Sequence, residues 1–243
     1  MATTPVIVLV HSSSVGPSTW AAVAGELRSR GADVRVPSML GFAEDGPPYA
    51  RAYVNRAAAA LASLPMDRSV LLVAHSNAGL FLPALAEVLE PREVALLFAD
   101  AAMPDPDEPD VRLAPEAFLA HLGGLATDGV LPPWSEWWPD EDLTSLYPDN
   151  ATRALVSAEE PRLPLAFYQE SLEVPHGWTS RRCAYLLFSA GYESEAARAA
   201  GIGWPVRHLA GEHLHMLVDP AGIAGAVRDL AHILIPTATR QDA

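Results

Sequence analysis

Six short apolar runs, rich in β-branched residues and separated by stretches of helical periodicity, limit this chain's fold more than any other feature. Residues 6–10, 34–36, 70–74, 94–98, 184–188 and 206–209 lack polar alternation, so each is expected to be a strand covered on both faces. Helices are expected over 18–29, with Ser18 as its cap, over the Ala-rich stretch 49–64, over 78–89, stopped by Pro91, and over 220–233, opened by Pro220. Strands alternating with helices fold as an α/β domain, a mostly parallel twisted sheet with helices on both faces. With 243 residues, 50% of them hydrophobic, the chain is long enough to bury roughly 70–75% of its unfolded surface in one core.

One stretch breaks the alternation. Residues 103–180 are dense in proline and acidic residues, carry the run Trp134-Ser135-Glu136-Trp137-Trp138, and contain no segment that reads as a strand. A connection of that length in a compact domain is usually functional, most often a cap of a few helices over a site. The expected organisation is therefore a core of residues 1–102 and 181–243 with an inserted lid over 103–180.

Charge excludes several functions. The 16 basic residues, all of them arginine, face 30 acidic ones, for a net charge of −14. Without lysine there is no Schiff-base aldolase, pyridoxal phosphate enzyme or Walker-A phosphate loop. The negative field opposes nucleic acid and anionic lipid. No basic residue precedes Arg28, and no run approaches the roughly 18 apolar residues of a membrane span, so a soluble cytoplasmic protein is expected. Cys183 is the only cysteine, which rules out an intrachain disulfide or a thiolate metal cluster; it is expected as a small buried residue entering a strand.

The chemistry concentrates in Val70-Leu71-Leu72-Val73-Ala74-His75-Ser76-Asn77-Ala78-Gly79-Leu80-Phe81, which reads as strand, sharp turn and helix. Such a turn lifts the Ser76 hydroxyl above the sheet and aims the first N–H groups of the helix at the same space, where they stabilise an oxyanion. The small residues Ala74 and Ala78 stand where the pattern G-x-S-x-G has glycine. With this elbow, the first-strand turn Val10-His11-Ser12-Ser13-Ser14, Asp100 at the end of the next strand and the late run Gly211-Glu212-His213-Leu214-His215-Met216, the chain resembles the α/β-hydrolases in Ser, Asp, His order. Ser12 stands where that family usually has the glycine of a His-Gly turn, and His11 reads as structural.

That resemblance implies a serine hydrolase. Ser76 would attack an acyl carbonyl, His213 would take its proton, and Asp100 would orient the imidazole. The backbone N–H groups of Ser13 and Asn77 would receive the oxyanion. Asp100 is preferred as the acid because thioesterase domains of polyketide and peptide synthases place theirs after the corresponding strand; Glu193 and Glu195 are the alternatives. His215, two residues from His213, is expected to pack or line the pocket, with Ser12, Trp134 and Trp138 as further substrate contacts. Trp134 and Trp138 could equally form the lid's own hydrophobic seam. His213, His215 and Asp219 form a rival metal-ligand set on paper, but the triad accounts for three distant segments at once, and neither metal nor cofactor is expected.

The lid aromatics Trp134, Trp137, Trp138, Phe167 and Tyr168 suit a hydrophobic ester or thioester. An acidic enzyme would repel an acidic carrier protein unless Arg181 and Arg182 formed a landing patch. His121 and His176 read as solvated lid residues. Two other functions fit the same fold: a lyase or cyclase of natural-product biosynthesis that forms no acyl-enzyme, and a non-catalytic binding protein.

Overall fold

The computed structural model describes residues 4–236. Its strands are β1 (Val6–Val10), β2 (Asp33–Arg35), β3 (Val70–Ser76), β4 (Val94–Ala101), β5 (Asp110–Arg112), β6 (Ser171–Glu173), β7 (Cys183–Leu187) and β8 (Val206–His208). Its helices are α1 (Ser18–Ser29), α2 (Tyr49–Leu61), α3 (Leu82–Val88), α4 (Glu116–Leu125), α5 (Asp140–Thr144), α6 (Asn150–Ser157), α7 (Leu165–Gln169), α8 (Glu193–Gly201), α9 (His215–Val218) and α10 (Pro220–Leu234). The main sheet is parallel throughout, in the order β2-β1-β3-β4-β7-β8.

Period-two alternation divides the core as a two-faced sheet requires. Val6, Val8, Leu72 and Phe98 join the cluster that includes buried residues of α2 and α3, while Ile7, Leu9, Val73 and Leu97 join that of α1 and α10. β1, β3 and β4 are buried along their lengths, as their unbroken apolar runs predict. β8 differs. As an edge strand it pairs only with β7 and is exposed at Val206, Arg207 and His208.

Two helices begin otherwise than the sequence suggests. α1 has no side-chain cap from Ser18; Glu159, far along the chain, accepts the Ser18 N–H at 2.8 Å. The predicted helix over 78–89 is a short 3-10 turn, Asn77–Phe81, followed by α3.

Residues 103–180 carry α4 to α7, and also the antiparallel pair β5–β6, which the sequence does not signal because each strand is only three residues long. Carboxylates tie this segment to the core at helix N-termini, where N–H groups lack intrahelical partners. Besides Glu159 on α1, Glu170 accepts the N–H groups of Tyr49 and Ala50 at the start of α2, at 2.8 and 2.7 Å.

Strand order reverses between β1 and β3: from β1 the sheet grows one way to β2, from β3 the other way to β8. Loops leaving the carboxyl ends of these two strands therefore diverge and open a crevice, the usual ligand position in open α/β sheets. Ser12 to Ser14 follow β1, and Ser76 with Asn77 ends β3.

Candidate active site

Ser76 occupies a backbone conformation that few non-glycine residues adopt, φ 60° and ψ −135°. Such strain costs about 1–3 kcal/mol and persists only where surrounding structure imposes it. Behind the turn the backbones pack closely: a Cβ added to Gly79 would lie 2.1 Å from the Ala102 carbonyl oxygen. Ser76 stays paired with Ala101 at the end of β3 and lines a cavity of about 730 Å³.

A bulge places Asp100. His75 pairs with Ala99 and Ser76 with Ala101, so Asp100 is skipped in the register and sits at φ 47°. Bulges of this kind re-aim a side chain beside an active site. The Tyr185 hydroxyl holds the displaced backbone, accepting from the Ala101 N–H at 3.0 Å and donating to its carbonyl at 2.8 Å. The fully buried Asp100 carboxylate accepts the N–H groups of Phe188 and Ser189, the Ser189 hydroxyl and His213 Nδ1–H, the last at 2.7 Å. Burial works against its charge, but the hydrogen bonds from His213 and Ser189 prevail and hold the carboxyl below its usual range. With Nδ1–H committed to Asp100, a neutral His213 carries its lone pair on Nε2, as a general base requires.

The His213 ring packs against two others, with Tyr192 at 5.1 Å and His75 at 4.3 Å between centroids. Tyr192, which sequence reasoning missed, also brings its hydroxyl within 3.5 Å of Ser76 Oγ. Burial pushes its phenol up to about 12, so it stays neutral. His75 Nε2–H donates to the His213 carbonyl at 2.8 Å, and burial lowers its pKa to about 3. Its tautomer follows, because a carbonyl can only accept.

The alternative acids are engaged elsewhere: Glu195 lines the cavity but pairs with Arg198 at 2.6 Å, and Glu193 is exposed. Nitrogen and oxygen atoms of His75, Asp100 and His213 lie within 4.8 Å of one another, compact enough for a metal ion. A metal there would have to displace the His213–Asp100 hydrogen bond. Asp219 stands apart from this cluster, accepting the Gly222 N–H at the start of α10.

Ser12, Asn77, Trp134, Trp138 and His213 line the cavity with Ser76, and Phe118, Trp137 and Tyr168 give it aromatic walls. Trp134 and Trp138 share no helical seam, since only Trp134–Glu136 form a helical turn. Trp138 stacks on His121 at 5.1 Å; His121 is exposed, as expected, and its Nε2–H donates to the Trp137 carbonyl at 3.2 Å. His215 falls outside the cavity lining: its ring rests on Gly211, where an added Cβ would lie 2.3 Å from Nδ1. The Ser13 N–H donates at 3.1 Å to the side-chain oxygen of Asn77, so in this structure it already has an acceptor. His11 is structural: Nδ1–H donates to the Ser12 carbonyl at 2.7 Å and Nε2 accepts the Met39 N–H at 3.0 Å. Cys183 is buried at the head of β7, with its thiol pushed up to about 12.

A family model described as "Alpha/beta hydrolase family" matches residues 7–226, nearly the whole chain. The chain belongs to the alpha/beta hydrolase family. Solved structures agree with the hydrolase fold. The protein is similar to polyneuridine aldehyde esterase, with a TM-score of 0.71 at 18% identity over 94% of this chain and 100% of that one. It is similar to tomato methylketone synthase I bound to 2-tridecanone, with a TM-score of 0.69 at 19% identity over 96% and 99% of the two chains. A third similar structure is the pyrethroid hydrolase PytH, with a TM-score of 0.69 at 19% identity over 94% and 98%. Among curated protein sequences none matches this hydrolase. Among the described residues no helix is long and apolar enough to cross a membrane.

Proposed function

We propose that this hydrolase cleaves an ester or thioester of a hydrophobic small molecule through Ser76, His213 and Asp100. The observation that carries the reading is the 2.7 Å bond to Asp100 from Nδ1 of His213, which lines the same cavity as Ser76. Ser76 Oγ attacks the acyl carbon while His213 Nε2 takes its proton. Negative charge on the former carbonyl oxygen is received by the backbone N–H groups of Asn77 and Ser13. His213 then returns the proton to the leaving oxygen or sulfur, and water repeats the sequence on the acyl-enzyme.

The aromatic walls of Phe118, Trp134, Trp137, Trp138 and Tyr168 favour an acyl chain or ring over a phosphorylated metabolite. Residues 103–180, which supply most of those walls, act in this reading as the lid of a core made by 1–102 and 181–243. Arg181 and Arg182 are paired with Glu90 and Glu93, which favours a free substrate over one presented by an acidic carrier protein. The chain's one cysteine, buried and free, is in keeping with a cytoplasmic enzyme.

A second reading, a lyase or cyclase using Ser76 and His213 as an acid–base pair, is favoured by one observation: the Ser13 N–H is occupied by Asn77. Covalent labelling with a fluorophosphonate, followed by mass spectrometry, separates the two. Labelling of Ser76 that disappears in Ser76→Ala and His213→Ala supports the hydrolase, and an ester or thioester panel then finds the acyl group. A parent that admits the probe and stays unlabelled overturns it.

A further inference from the structure

The side chain of Asn77 holds the place at which the acyl oxygen of the proposed reaction would bind. Its Oδ1 accepts two hydrogen bonds, from the Ser13 N–H at 3.1 Å and from the Ser12 hydroxyl at 2.8 Å, while Nδ2 donates to Ser13 Oγ at 2.6 Å. The orientation of the amide follows from chemistry: a backbone N–H only donates, so the atom facing Ser13 N is the oxygen. An internal carbonyl oxygen therefore sits on the donor that a serine hydrolase reserves for its oxyanion. Asn77 lines the cavity beside Ser76, as do Ser12 and Ser14 on either side of Ser13, so a substrate that takes the Ser13 N–H must displace the Asn77 oxygen.

We infer that Asn77 is a specificity-determining residue, an intramolecular competitor that a substrate's acyl oxygen must displace from Ser13. The inference rests on the serine hydrolase reading. A primary amide oxygen is a better acceptor than the carbonyl of an ester or thioester, so a neutral ground-state substrate gains little by the exchange. The oxyanion is different. A charged acceptor makes shorter and roughly twice stronger hydrogen bonds than a neutral one, so the exchange becomes favourable only as negative charge develops. Ser13 is thereby reserved for the transition state, where binding accelerates the reaction, and withheld from ground-state carbonyls. The arrangement disfavours compounds whose oxygen acquires little charge.

The test compares rate constants for labelling by a fluorophosphonate in the parent, Asn77→Ala and Asn77→Asp, with thermal melts to verify folding. Asn77→Ala releases the donor, and labelling of Ser76 is expected to accelerate about three- to tenfold, the size of one neutral hydrogen bond. Asn77→Asp keeps the volume but puts a stronger, negatively charged acceptor on Ser13, and labelling is expected to slow at least tenfold. A purely structural role for Asn77 would slow both variants. A labelled parent with an equal or slower Asn77→Ala overturns the inference and leaves the serine hydrolase standing. No labelling in the parent or in folded Asn77→Ala overturns both.

Discussion

Tyr192 lies face to face with His213, the planes of the two rings 11° from parallel and their centroids 5.1 Å apart. His75 packs against the same imidazole, its ring tilted by 35° and its centroid at 4.3 Å. The imidazole is thus fixed by a hydrogen bond at one nitrogen and by two neighbouring rings, which limits its freedom before any substrate arrives. In the proposed reaction such preorganisation lowers the entropy lost when His213 and Ser76 align.

Tyr192→Phe keeps the stack and removes only the hydroxyl near Ser76; the labelling rate is expected to fall by about two- to tenfold. Tyr192→Ala also removes the ring, and a further loss of at least about tenfold is expected from a mispositioned base. Equal rates for the two variants would show that the stack does not matter.

Asp100→Asn retains the shape of the side chain but not its charge, and the imidazole loses the partner that selects its tautomer. Loss of about 10³ to 10⁴ in rate is expected. Glu195→Gln, in a residue committed to Arg198, is expected to cost less than about threefold. Single-turnover kinetics on the two variants would decide between the carboxylates.

Gly79→Ala drives a methyl group to within 2.1 Å of the Ala102 carbonyl, a rigid backbone atom. Helix propensity alone favours alanine, but the clash dominates, and destabilisation of about 2–4 kcal/mol is expected. A thermal melt should show Tm lower by at least about 5 °C.

Stability is expected to fall on acidification from pH 7 towards 4. Burial lowers His11 to about 4 and His75 to about 3, whereas both titrate near 6.5 in the unfolded chain. Between those values the unfolded state binds more protons, so stability rises with pH, by up to about 1.4 kcal/mol per unit for each histidine. Asp100 acts in the same direction at lower pH: its folded carboxyl titrates below the ordinary range, so its contribution is full above that range and drains as pH falls through it. Urea melts at pH 7, 6 and 5 measure the slope; a flat profile would contradict the burial of both histidines.

What the sequence alone determined is what short-range patterning encodes. Unbroken apolar runs predict buried strands because a strand covered on both faces has no wet side to alternate with. Ser76 was legible as a candidate because an elbow is built within a dozen consecutive residues, and His213 because it follows the last strand directly after Gly211-Glu212. Tertiary structure decided everything that depends on distant segments meeting. Asp100 reaches His213 only because a bulge against β3 turns it out of the ladder and Ser189, 89 residues away, donates to it. Glu159 replaces Ser18 at the head of α1 for the same kind of reason, as does the Tyr192 stack. Asn77 reaches back to the turn after β1, 64 residues away, and takes its free N–H. No local spacing specifies such contacts: they arise from packing, which fixes side chains only after the sheet has brought its loops together.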